Sequence, residues 1–300
     1  MVTDRREFLE VNRARVDLAL RSLTRPPSTP VRTHLDLTEA HNYALSVGGK
    51  HIRPLLLHAA SLIVNEDTPP TALNYLYGAI ELIHTYSLIH DDLPAMDDDD
   101  FRRGKPSLHK AFDEATAILV GDGLQARAFE LIADAPDLSD GQKVKMIKAL
   151  SAAAGFEGMV GGQHIDIQAT DSDMTLEELQ AMHSMKTGAL IRASLALGGI
   201  AANASDSQLA ALNEFGTHIG LAFQVVDDIL DVEGDSKTLG KTQGKDAEAN
   251  KPTYVKLMGL EGAKAEAQRL LEAALTSLVG FGESANHLQD IARYIVERDH

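Results

Sequence analysis

The sequence predicts an all-α fold. Apolar residues recur at helical three-and-four spacing along most of the chain, strand-like alternation is scarce, and the periodic windows are rich in Ala and Leu. Between Ala72 and Asp92 the apolar positions Leu73, Leu76, Tyr77, Ile80, Ile83 and Leu88 draw one buried stripe. A second stripe runs through Leu212, Phe215, Ile219, Ala222, Phe223, Val226 and Leu230. Further helices are expected to begin near Thr38, Leu119, Lys143, Leu176 and Ala263, after an N-terminal helix within 1–25 that RPPSTP (25–30) closes. Gly48–Gly49, Pro69–Pro70, Pro94, Ala135–Pro136 and Gly161–Gly162 read as joints. The longest loop-like stretch, 233–252, is rich in Gly, Lys and Asp, and a loop of that length in a compact domain is usually functional. Composition hardly shifts across these breaks, so residues 1–300 are expected to form a single domain.

With 300 residues, 44% of them apolar, the chain can bury a large core, which excludes disorder as its main state. It holds 44 acidic and 28 basic residues, a net charge of -16. A surface of that sign argues against nucleic acid and stable association with anionic membranes, though a local basic pocket could still hold a small anion. The absence of cysteine excludes disulfides, a thiolate nucleophile and Cys-ligated metals. The N-terminus alternates charged and apolar residues, unlike a secretory signal, and no apolar run approaches the ~20 residues of a membrane span. A cytoplasmic protein is expected.

The acids are concentrated. Windows 91–100 and 227–235 hold 11 of them and no Lys or Arg. The first window belongs to HDDLPAMDDDDFRRGKP (90–106), where Asp91 and Asp92 end an apolar helix and Pro94 disfavours helical geometry at Leu93. On an unbroken helix Asp97 would lie about 240° around from Asp91, so the break is what lets it turn back. Converging carboxylates ask for a positive partner, and hard oxygen ligands suit Mg²⁺. For Asp98 to Asp100 a solvated or structural acidic loop is the favoured alternative. Asp91 and Asp92 follow the apolar TYSLIH, where an unpaired carboxylate is costly.

In FQVVDDILDVEGD (223–235), Asp227 and Asp231 share a helix face while Asp228 lies about 100° away. Their mutual repulsion asks for a cation, either Lys237, Lys241 or Lys245 from the following loop or a metal caged between two acidic helices. Basic residues come from GGKHIRP (Lys50, His51, Arg53), where a Gly pair precedes a helix start in the manner of a phosphate site, from Arg102 and Arg103, from Lys186–Thr187 in SMKTGAL, and from KTQGKD (241–246). Carboxylate-held Mg²⁺ flanked by Arg and Lys suits diphosphate ester chemistry, in which metals neutralise the charge on the departing group.

GGKHIRP, DDLPAMDDDDFRRGKP, GGQHID, MKTGALI, FQVVDDILD, LGKTQGKD and KPTY stand in the order and spacing of the trans-isoprenyl diphosphate synthases. From about Leu35 to Arg298 the chain resembles that family, and within it the bacterial farnesyl diphosphate type. The resemblance implies an isoprenoid synthase-like helical bundle with a central cavity, a homodimer, and head-to-tail condensation of dimethylallyl or geranyl diphosphate with isopentenyl diphosphate. It implies that Asp91 and Asp97 hold two Mg²⁺ ions and Asp227 a third, with Asp92 and Asp231 as supporting ligands or orienting groups. Arg102, Lys186 and Lys241 are implied to grip the allylic diphosphate, and Lys50, Arg53, His84 and Arg103 the isopentenyl diphosphate. Thr187 and Gln224 match positions near the reacting carbons. His164, Asp166 and Arg298 lie in matching regions without an assignable role.

The implied reaction ionises the allylic C–O bond, lets the isopentenyl double bond attack the cation, and returns a proton to the released diphosphate. Closure of 233–252 is expected to keep water from the cation. A chain growing away from the first motif would meet Tyr86, five residues before Asp91, whereas Ser87 is small. In the family an aromatic there, together with the two extra residues Pro94–Ala95, resembles the farnesyl type; the competing view is that Tyr86 is simply core. A geranylgeranyl diphosphate synthase is the alternative. Further off are a terpene cyclase, whose second metal site draws on Asn, Ser or Thr and Glu, and a non-catalytic subunit, which would have lost motif aspartates.

Overall fold

The computed structural model describes residues 5–23, 35–46, 48–169, 173–233 and 252–298. Among them the chain is helical almost throughout, with one antiparallel hairpin of two-residue strands, β1 (Phe101–Arg102) and β2 (Lys105–Pro106). It divides into two compact units, Met1–Leu55 with Pro69–Ile147, and Leu56–Thr68 with Lys148–His300. No described helix is long and apolar enough to cross a membrane.

The first unit contains α1 (Arg5–Leu23), α2 (Leu35–Ser46), the start of α3 (Ile52–Val64), α4 (Pro70–Asp91), the hairpin, α5 (Leu108–Ala111), α6 (Glu114–Asp134) and the first half of α7 (Asp140–Ala154). Helix α4 is its centre and packs on α1 and α6. Leu76, Ile80, Leu82 and Ile83 are fully buried, so the stripe read from sequence widens to most of the circumference. Pro70 opens this helix, where its missing N–H costs nothing, and Asp92 caps its end. Asp113 starts α6 by accepting the Thr116 N–H at 2.8 Å.

The second unit contains the rest of α3 and α7, α8 (Met159–Gln168), α9 (Leu176–His183), α10 (Ala189–Ala201), α11 (Asp206–Glu233), α12 (Tyr254–Ser277) and α13 (Asn286–Glu297). Helix α11 packs against α10, α12 and α13. A capping box, Thr175 with Glu178, begins α9. Between α9 and α10 the residues Ser184–Gly188 form a π-helical turn, a local widening that proteins use mostly at functional positions.

Two expectations need correction. Gly161–Gly162 is no joint, because both residues lie inside α8. A Cβ on Gly162 would sit 2.2 Å from the Lys186 N and 2.6 Å from its Cα, so the glycine is there to admit the π turn. From the other side, a Cβ on Gly220 of α11 would lie 2.9 Å from the Gly188 Cα. The helix expected near Ala263 starts at Tyr254 and is kinked at Gly259 (φ 73°), a conformation that suits glycine. Arg25–Pro30 lies outside the described residues.

Gly162→Ala is expected to cost about 1–3 kcal/mol of stability through overpacking against the π turn. Urea denaturation checks this, and an unchanged midpoint would contradict the tight contact.

Candidate active site

At the end of α4 the backbone folds back on itself. The Asp97 N–H donates to the Asp91 carbonyl at 2.9 Å and the Asp99 N–H to the Asp92 carbonyl at 3.2 Å, which is the return that Pro94 was expected to permit. Asp91 and Asp97 are both half-buried beside this turn. Asp92 is 3% exposed and faces Arg102, whose Nε lies 3.1 and 3.3 Å from the two carboxylate oxygens while Nη2 donates to Oδ1. A buried carboxylate with a forked guanidinium is satisfied, and removing one partner of such a pair typically costs about 3–5 kcal/mol. Asp92 therefore orients Arg102.

The expected basic residues of this unit converge. Burial, then the nearby guanidinium groups of Arg53, Arg103 and Arg102, hold the His84 imidazole well below its ordinary value. Arg103 lies against the glycine turn, since a Cβ on Gly49 would meet its Nη1 at 2.7 Å. Lys50 is exposed on the same turn, and its carbonyl accepts from the Arg13 Nε at 3.2 Å. A cleft is lined by Asp92, Arg102 and Arg103 together with Glu81, Tyr43 and Leu88. Tyr86 is buried, 4% exposed, with its ring edge-on to His90, and the Ser87 hydroxyl donates to the His84 carbonyl.

His51 departs from the phosphate-site reading of GGKHIRP. Its ring is buried, with Nδ1 2.9 Å from Glu81 and Nε2 3.1 Å from Asp17. Burial alone would lower its pKa, but the hydrogen bonds and charges of Glu81 and Asp17 outweigh that and the net shift is upward. The residue ties α1 to α4.

In the second unit the π turn carries Lys186 and Thr187. The Thr187 hydroxyl donates to the Gln224 Oε1 at 2.8 Å, joining two residues singled out from sequence. The Lys186 ammonium lies 2.5 Å from Asp166, which supplies the function that sequence left unassigned to that acid. On α11, Asp227 is exposed and Asp231 half-buried, one turn apart. Asp228 points elsewhere, accepting the Tyr254 N–H at 2.7 Å at the start of α12, a structural use of a carboxylate at a helix N-terminus. Among the described residues Arg298 donates to Asp227, a partner that nothing in the local sequence announces. Lys237, Lys241, Lys245 and most of 233–252 lie outside the described residues. His164 is exposed on α8.

Asp91 and Asp97 in the first unit, and separately Asp227 and Asp231 in the second, offer only hard oxygen atoms, and each pair has the donor chemistry that suits Mg²⁺, which binds through one or two carboxylates plus substrate phosphates and keeps several waters. A second group, Asp98, Asp100 and His109, has ligand atoms within 4.8 Å of one another, and Lys110 lies 2.9 Å from Asp100.

The family model described as polyprenyl synthetase matches residues 34–291, and the chain belongs to that family. It is 49% identical over 244 residues to the farnesyl diphosphate synthase of Haemophilus influenzae, covering 81% of this chain and 82% of the relative. It is 45% identical over 269 residues to that of Escherichia coli, covering 88% and 89%. A geranyltransferase structure from Helicobacter pylori, complexed with magnesium and isoprenyl diphosphate, superposes with a TM-score of 0.85 at 35% identity, covering 99% of this chain and 98% of that one. The chain is a prenyl-transferring enzyme.

The raised pKa of His51 makes its contribution to stability complete below the unfolded value of about 6.5 and lost as pH rises through the folded value. The stability difference between wild type and His51→Gln should therefore shrink as pH rises above about 6.5, as read by urea midpoints. A difference that grew with pH would contradict the assignment.

Proposed function

We propose that this prenyltransferase condenses dimethylallyl and geranyl diphosphates with isopentenyl diphosphate, head to tail, to give farnesyl diphosphate and free diphosphate. The observation that carries the reading is the pair of acidic motifs, each set among cations, in a chain similar over most of its length to farnesyl diphosphate synthases. In this reading Asp91, Asp97 and Asp227 hold three Mg²⁺ ions, with Asp231 in support and Asp92 fixing Arg102. When bound, magnesium supplies positive charge against the negative charge that collects on the departing diphosphate.

Arg102 and Lys186 grip the allylic diphosphate, joined by Lys241 on the strength of the sequence pattern alone. Lys50, Arg53, His84 and Arg103 take the isopentenyl diphosphate. His84 suits this role as a neutral imidazole among guanidinium groups, since it donates a hydrogen bond without adding repulsion. The Thr187 and Gln224 oxygen atoms place dipoles where an allylic cation develops. The leaving diphosphate takes the proton, so no protein nucleophile is needed. Tyr86 is the floor that stops the chain at fifteen carbons. The same reading treats residues 1–300 as one synthase domain, acting as a homodimer in the cytoplasm without stable membrane association.

The test is purified protein with Mg²⁺, dimethylallyl diphosphate and isopentenyl diphosphate, with the dephosphorylated products sized by chromatography. A C15 alcohol is expected, and no diphosphate release would sink the proposal. Asp91→Ala and Asp227→Ala should each lower turnover by roughly 10³-fold, the equivalent of several kcal/mol of charge stabilisation, with the fold retained by circular dichroism. Tyr86→Ala should carry products to C20; an unchanged C15 profile would return Tyr86 to the core.

A further inference from the structure

Three contacts hold the Arg298 guanidinium. Its Cζ lies 3.9 Å from the centroid of the Phe223 ring, Nη2 donates to the Phe223 carbonyl at 3.1 Å, and Nη2 also donates to the Asp227 Oδ1. Phe223 precedes Asp227 by one turn of α11, so ring, carbonyl and carboxylate lie along one side of one helix. A planar guanidinium can stack on a ring and donate in its own plane at the same time, which an ammonium cannot do.

The two partners are unequally fixed. The Arg298 side chain is 3% exposed and that of Asp227 47% exposed. Arg298 directly follows α13, which is anchored by buried Leu288, Ile291, Ala292 and Ile295. The arginine is thus the fixed member, and the carboxylate is the member being held. An exposed aspartate on a helix has several staggered rotamers available, and a rigid donor on one oxygen selects among them.

We propose that Arg298 is a positioning residue for the second acidic motif, holding the Asp227 carboxylate in one orientation for a divalent metal. The inference rests on the reading of Asp227 as a metal ligand. It gives Arg298 the part that outer hydrogen-bond partners play around ligating carboxylates, whose loss typically weakens metal binding about 10–100-fold. Before a metal arrives, the same guanidinium offsets the repulsion between Asp227 and Asp231. The C-terminal helix becomes part of the metal site without supplying a ligand.

The experiment uses the full chain, Mn²⁺ as a paramagnetic probe and inorganic diphosphate, with free Mn²⁺ read by electron paramagnetic resonance. Arg298→Met, which keeps length and ring contact without charge, should weaken one class of Mn²⁺ sites by about 10–100-fold. Arg298→Lys keeps the charge and should lie between it and wild type. Combined with Asp227→Ala, Arg298→Met should add no further loss, because its effect passes through that carboxylate. Wild-type Mn²⁺ binding in either Arg298 variant, or an additive loss in the double variant, would overturn the inference. If Arg298→Met does not fold, Arg298→Lys and its double variant decide on the same criteria. Wild-type binding in Asp227→Ala would instead overturn the ligand reading beneath it.

Discussion

Carboxylates gathered at the ends of apolar helices need a cation within reach, and much of the local structure follows from meeting that need. Asp92 is buried at the end of α4, where an ionised acid without a partner would cost several kcal/mol. Arg102 returns from the β-hairpin to satisfy it, so the turn through Pro94 and the hairpin serve the charge balance as well as the chain path. Asp227 receives Arg298 from the far end of the chain, and Asp166 receives Lys186. Asp228 is satisfied differently, by the Tyr254 N–H at the start of α12.

A second constraint is backbone proximity. The π turn at Ser184–Gly188 presents Lys186 towards Asp166 and Thr187 towards Gln224 from one short segment. It can be seated there because Gly162 and Gly220 remove the side chains that would strike it. A regular helix would advance the residues at its usual ~100° and separate these two partners differently. Local backbone irregularity and glycine placement thus set the geometry of residues that sequence identifies only by type.

The helices, the break after Asp92 and the return of Asp97 were legible because each depends on near neighbours: periodic apolar positions, a proline, and the rotation per residue. The burial of Tyr86 was legible for the same reason. Gly161–Gly162 misled, since a glycine pair signals a joint equally well as a tight helix contact, and only the presence of Lys186 opposite distinguishes the two. His51 misled similarly, because its place in a basic motif says nothing of Asp17 and Glu81, which come from other helices. Asp113 caps α6 through Thr116, a local contact of the kind that short-range spacing specifies.

The sequence by itself determined the all-helical class, the two acidic motifs, the basic complement and the family they belong to. These are matters of residue type and short-range spacing, and physical chemistry constrains both strongly. Only the tertiary structure decided which carboxylate each cation serves: Arg102 on Asp92, Lys186 on Asp166, Arg298 on Asp227. Such pairings join residues up to 71 positions apart. A charge at that separation has many acids to choose from, and the choice is made by the packing that brings one of them within reach.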